Sequence, residues 1–164
     1  MQRIIDLAQS VLDEYGGRDI FETAENSGVN VWLRPVGTLK GFYVCENGKR
    51  YIVVNSGLSR MMKRVVCAHE FGHDMLHREL SAGGIRDSTL FLDSNKTERE
   101  ANLFAAELLI SDGDILSELS YCSSVGALAY ELDLPPEMVE YKLEILHYKG
   151  HDIRYEQVRS DFLK

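Results

Sequence analysis

At 164 residues the chain is long enough to bury a core of its own, so it needs neither disulfides nor a structural metal to fold. Hydrophobic residues make up 45% and charged residues 27%, a balance that excludes the disordered class. With 26 acidic residues against 18 Lys plus Arg, the net charge of -8 argues against a nucleic-acid footprint spread over the surface.

Ile4, Ile5, Leu7, Ala8, Val11 and Leu12 recur at helical spacing, and Gly16-Gly17 ends that segment. Asp19 is placed to cap a second short helix running to about Asn26, closed by Gly28. Strands are expected over Val29–Leu33, Leu39–Cys45 and Tyr51–Asn55, the last two joined by a hairpin turn at Asn47-Gly48. Ser59 opens a long helical pattern reaching Leu76 or His77. Its start holds the one dense basic cluster, residues 60–64, which reads as a solvated helix face.

Residues 78–96 form a connection of unusual length, with Gly83-Gly84 and the apolar trio Leu90-Phe91-Leu92. Thr97 and Glu100 are spaced as a capping box for a helix from Glu98 to about Ile110, apolar on most sides and therefore buried. Short helices follow around Gly113–Leu119 and Ser124–Leu132, and from Pro135 or Pro136 to about Tyr148. The expected fold class is α+β: a small, mostly antiparallel sheet of about three strands packed on two helices. Residues 1–112 are the expected core, with a C-terminal helical section over 113–164 packed on it.

Cys45, Cys67 and Cys122 are too few and too dispersed for a disulfide framework, and suit a reducing compartment. Cys67 reads as a small core residue. The N-terminus lacks the apolar run of a signal peptide, and no stretch is long enough to span a bilayer, so a cytoplasmic location is expected.

The chemistry concentrates in His69-Glu70-Phe71-Gly72-His73. Four residues apart on a helix, His69 and His73 project from one face and can offer two imidazoles to one zinc ion. Glu70 then lies beside the open coordination position, where a carboxylate can accept a proton from water. A third histidine ten residues after the first would mark a metzincin, but Glu79 stands there. His77 is two turns along the helix axis, too far to share the ion. Glu98 is the better third ligand, because a carboxylate opening a buried helix needs a cation. Asn102, on the same face, is placed to orient a ligand. Glu100 and Glu107 are weaker candidates. Candidates for stabilising an oxyanion are His77, His147, His151, Tyr43 and Tyr51. The Tyr51–Asn55 strand is expected to pair, as an edge strand, with an extended substrate.

The helix motif His69-Glu-Phe-Gly-His-Asp-Met-Leu-His77 and the later Glu98-Arg-Glu-Ala-Asn102-Leu-Phe-Ala-Ala-Glu-Leu-Leu-Ile110 resemble the ImmA/IrrE group of small bacterial and phage metallopeptidases. The resemblance spans roughly residues 1–145; it departs at Ile110-Ser111, where Met-Pro is usual. It implies a zincin-like fold of the gluzincin type, with the glutamate at position 98 as third zinc ligand. For several members it also implies cleavage of a partner transcriptional repressor encoded in a prophage or mobile element. The rival class is a non-enzymatic stress or toxin–antitoxin regulator that keeps the zinc site and binds protein or DNA. Residues 125–143 have a helix–turn–helix rhythm, but Glu137, Glu140 and Glu144 would repel phosphate, so direct nucleic-acid binding is disfavoured.

Overall fold

The apolar stripe of the N-terminal segment forms α1 (Gln2–Tyr15), which buries Ile4, Ile5, Ala8 and Val11. The computed structural model of this chain describes residues 1–17, 19–81, 96–122 and 124–153. α2 (Ile20–Asn26) starts at Asp19, whose carboxylate accepts from the Glu22 amide at 3.0 Å. The expected stretch with Gly83-Gly84 and Leu90-Phe91-Leu92 lies outside the described residues.

Three strands follow: β1 (Asn30–Arg34), β2 (Gly41–Glu46) and β3 (Lys49–Asn55). Asn47 and Gly48 both take positive φ, 51° and 76°, the geometry of a two-residue hairpin turn between β2 and β3. The sheet order is β1-β3-β2, with β2 antiparallel and β1 parallel to β3, so the sheet is mixed. Residues 35–40 carry the chain past the end of β3. Asn55 pins this crossing by donating from its side chain to the carbonyls of Gly37 (3.1 Å) and Leu39 (2.7 Å).

This order corrects one expectation. Tyr51–Asn55 is the central strand, hydrogen-bonded on both sides, and has no edge to offer an extended substrate. The buried run Ile52-Val53-Val54 is the physical reason: apolar residues on both faces fit a strand enclosed by neighbours.

The register puts Tyr43, Ile52 and Val54 on one face, and α3 (Arg60–His77) packs there. Ser59 caps α3, accepting from the Met62 amide at 3.2 Å. A buried carboxylate fastens the helix to the sheet: Asp74 accepts from the Tyr43 hydroxyl (2.7 Å), from Arg50 (2.7 Å), and from Arg78 (3.2 Å). A short 3-10 turn, Arg78–Ser81, follows.

α4 (Lys96–Leu109) lies against α3, and the two come closest at Gly72, where a Cβ would meet the Ala101 Cα at 3.0 Å and its carbonyl oxygen at 3.1 Å. The capping-box expectation is also corrected. The helix begins at Lys96, so Thr97 lies inside it, and the Glu100 carboxylate turns to His77 at 2.9 Å.

α5 (Asp112–Glu118), α6 (Val125–Glu131) and α7 (Pro136–Tyr148) complete the architecture, which is α+β. Ser111, at the position where the resemblance departs, caps α5 through the Asp114 amide at 3.0 Å. α7 packs on α4 and contributes Met138, Val139, Leu143, Ile145 and Leu146 to the same apolar cluster as Phe71 and Phe104. Lys142, 1% exposed, meets Glu107 at 2.6 Å and Asp112 at 2.5 Å, while Lys149 meets Glu107 at 2.6 Å and Asp112 at 2.8 Å. Two ammonium groups and two carboxylates thus close a ring that ties α7 to the end of α4 and the start of α5.

Candidate metal centre

His69, Glu70 and His73 stand on the buried middle of α3, and Glu98 and Asn102 on the facing side of α4. The pairing of helices that Gly72 permits therefore brings residues separated by about thirty positions into one cluster. His69, His73 and Glu98 have ligating atoms within 4.8 Å of one another, the one such group among the described residues. The two Nε2 atoms are 3.2 Å apart, and each faces a different oxygen of Glu98 at 3.3 Å.

These separations test the fit of a metal. Donors spread tetrahedrally around zinc at about 2.0–2.2 Å stand about 3.3–3.5 Å from one another. The spacing in the cluster matches that geometry, and two imidazoles with one carboxylate are donors zinc takes, leaving room for a fourth ligand. A hard cation such as calcium would call for oxygen alone.

The electrostatics agree. Burial pushes the Glu98 carboxyl up, but the two imidazoles 3.3 Å away outweigh it and hold the group down at about 2. Glu98 is thus an anion, held between two imidazoles. The other ring nitrogen of His69 is accounted for as well: Nδ1 lies 2.8 Å from the Asn102 carbonyl oxygen, which makes it the N–H and leaves Nε2 its lone pair. Asn102 in turn donates to the Tyr141 hydroxyl of α7 at 3.1 Å.

The remaining candidates are dispersed. His77 sits beside the cluster, its ring centroid 5.6 Å from that of His73, but its Nε2 is turned to Glu100; burial lowers its basicity, partly offset by that bond. Tyr43 donates to Asp74 under the sheet. Tyr51 stands on the opposite sheet face, its ring tilted against that of Trp32 with centroids 4.8 Å apart. His147 is exposed in the last turn of α7. Glu107 belongs to the lysine ring. Tyr141 is the site-linked residue that sequence reasoning did not single out, since no spacing rule connects it to Asn102 or His69. Cys45, Cys67 and Cys122 are all unpaired, and burial pushes the Cys67 thiol up, as befits an inert core residue. Among the described residues no helix is long and apolar enough to cross a membrane.

Residues 24–144 match the Peptidase_M78 family, described as the IrrE N-terminal-like domain. An uncharacterized immunity region protein of Bacillus phage phi105 is 31% identical over 136 residues, covering 82% of this chain and 85% of the relative. The metallopeptidase ImmA of Bacillus subtilis (strain 168) is 25% identical over 137 residues, covering 82% of this chain and 80% of the relative.

Proposed function

The chain belongs to the Peptidase_M78 family of IrrE N-terminal-like domains, and from that premise we propose that it is a cytoplasmic zinc-dependent endopeptidase with a regulatory protein substrate. The observation that carries this is the convergence of two imidazoles and an anionic carboxylate, with Glu70 beside them on the same helix turn as His69.

In this reading His69, His73 and Glu98 hold the ion. Zinc supplies Lewis acidity there, polarising the scissile carbonyl and bringing the pKa of a bound water toward neutrality. Glu70 is the general base: its carboxylate accepts the proton of the attacking water and delivers it to the leaving amine nitrogen. Asn102 fixes the His69 tautomer, so that imidazole meets the ion with the correct nitrogen. Residues 1–112 act as the catalytic core, and 113–164 as a helical section that braces it.

The names of the relatives, an immunity region protein and ImmA, support a substrate of the phage or mobile-element repressor kind. The outward residues of α7 include Glu137, Glu140 and Glu144, the last paired with Arg99, so the reading gives α7 no DNA contact.

The test is to incubate the zinc-loaded protein with a helix–turn–helix repressor encoded beside its gene. Wild type yields discrete fragments; Glu70→Gln keeps its zinc and loses a factor of about 10²–10⁴ in rate, the usual share of a general base. Cutting by Glu70→Gln at the wild-type rate refutes the role of Glu70. Zinc binding without cutting by wild type favours a binding-only regulator instead.

A further inference from the structure

We infer that Tyr141 is a positioning residue for the metal centre: its hydroxyl holds the Asn102 amide in the orientation that keeps the His69 proton on Nδ1. The inference rests on the reading of His69 as a zinc ligand, and it extends the site to a helix of the C-terminal section.

Asn102 is fully buried, so its donors and acceptor must be satisfied within the protein. Its Oδ1 faces His69 Nδ1 at 2.8 Å and its Nδ2 donates to the Tyr141 hydroxyl at 3.1 Å. Turned over, the amide would present N–H to Nδ1. The His69 proton would then sit on Nε2, the nitrogen that faces His73 and Glu98. An imidazole protonated there has no lone pair for the ion. The orientation of one amide thus decides whether His69 can ligate.

The Tyr141 hydroxyl accepts from Nδ2, so the chain of donors runs from His69 through Asn102 to Tyr141, and this orientation gives the buried Nδ2 its acceptor. Phenylalanine changes that balance. In the ligating orientation Nδ2 loses this acceptor; in the flipped one only a carbonyl oxygen is left short, and buried proteins tolerate that more readily than a stranded N–H. Removing the hydroxyl therefore favours the flipped amide and the wrong tautomer.

The position of Tyr141 is stiff. The next residue, Lys142, is locked to Glu107 and Asp112, and Lys149 closes the same ring about two turns on. The phenol is thereby held over α4, and the site draws on α7 for orientation as well as for packing.

Tyr141→Phe keeps the ring and removes the hydroxyl. Two measurements are made: zinc affinity by competition with a chelator, and the His69 tautomer in metal-free protein from the nitrogen chemical shifts of labelled imidazoles. The expected result is zinc binding weaker by about tenfold, the low end for groups that orient a ligand, with His69 moving from Nδ1–H toward a mixture. Asn102→Ala is expected to weaken binding by about 10–100-fold. Because Tyr141 acts through Asn102, the double variant is no weaker than Asn102→Ala alone. A purely packing role for Tyr141 would change the melting temperature and leave the tautomer unmoved. An unchanged tautomer in Tyr141→Phe, or losses that add in the double variant, overturns the inference. If wild type takes up no zinc, or His69→Ala binds it undiminished, it is the metal-centre reading that fails, and the tautomer measurement on metal-free protein still decides the role of Tyr141.

Discussion

Replacing Gly72 with alanine probes the helix contact on which the site depends. A Cβ at this position would stand 3.0 Å from the Ala101 Cα, 3.1 Å from its carbonyl oxygen and 3.3 Å from its Cβ. The nearest contact falls about 0.4 Å short of the 3.4 Å at which ordinary van der Waals contact begins. Two of the three atoms are backbone and cannot swing aside, so α4 must move away from α3 by about that distance. Glu98 and Asn102 flank Ala101 and move with it. Metal–ligand distances vary by only about 0.2 Å, so a shift of about 0.4 Å is large enough to matter.

In stability two effects oppose. Alanine gains about 1 kcal/mol over glycine in a helix interior, while overpacking costs about 1–3 kcal/mol. The expected outcome is a metal-free protein less stable by about 1 kcal/mol in urea melts, with zinc affinity reduced about tenfold by chelator competition. A variant that is more stable than wild type and binds zinc equally well would refute the argument, since it would mean that the helices have room for a methyl group.

The lysine ring gives two more predictions. Lys142→Met strands carboxylates around a position that is 1% exposed, and is expected to destabilise by about 3 kcal/mol in denaturant melts, since Lys149 still faces both acids. Burial pushes the Asp112 carboxyl up, but Lys142 and Lys149 more than offset this and hold it below its ordinary 3.8. A carboxyl depressed in the folded state contributes fully above its unfolded value and loses that contribution as pH falls through the folded one. Asp112→Asn is therefore expected to melt below wild type at neutral pH, with the gap closing as pH drops under 3.8; a gap that stays constant into acid would count against the pairing.

How much of this was legible in the sequence depended on the range of the interaction. Helix starts written in local chemistry, Asp19 and Ser59, cap where their spacing predicts, and Asn47-Gly48 makes the turn its residue types require. Local rules failed where a distant group competed for the same side chain. Glu100 has capping-box spacing, but His77 of another helix takes its carboxylate. Tyr51–Asn55 has the pattern of a strand, yet only the crossing of residues 35–40 makes it the central one.

The centre divides along the same line. By itself the sequence determined that His69 and His73 share a helix face, that Glu70 accompanies them, and that Glu98 and Asn102 share a face of a second, buried helix, because a four-residue step on a helix is a local property. Only the tertiary structure decided how those faces meet. Gly72 against Ala101 sets the approach of α3 and α4, which leaves the imidazoles 3.3 Å from the carboxylate, and α7 places Tyr141 behind Asn102. Those contacts join residues tens of positions apart. Their geometry comes from packed helices, and no spacing rule along the chain encodes it.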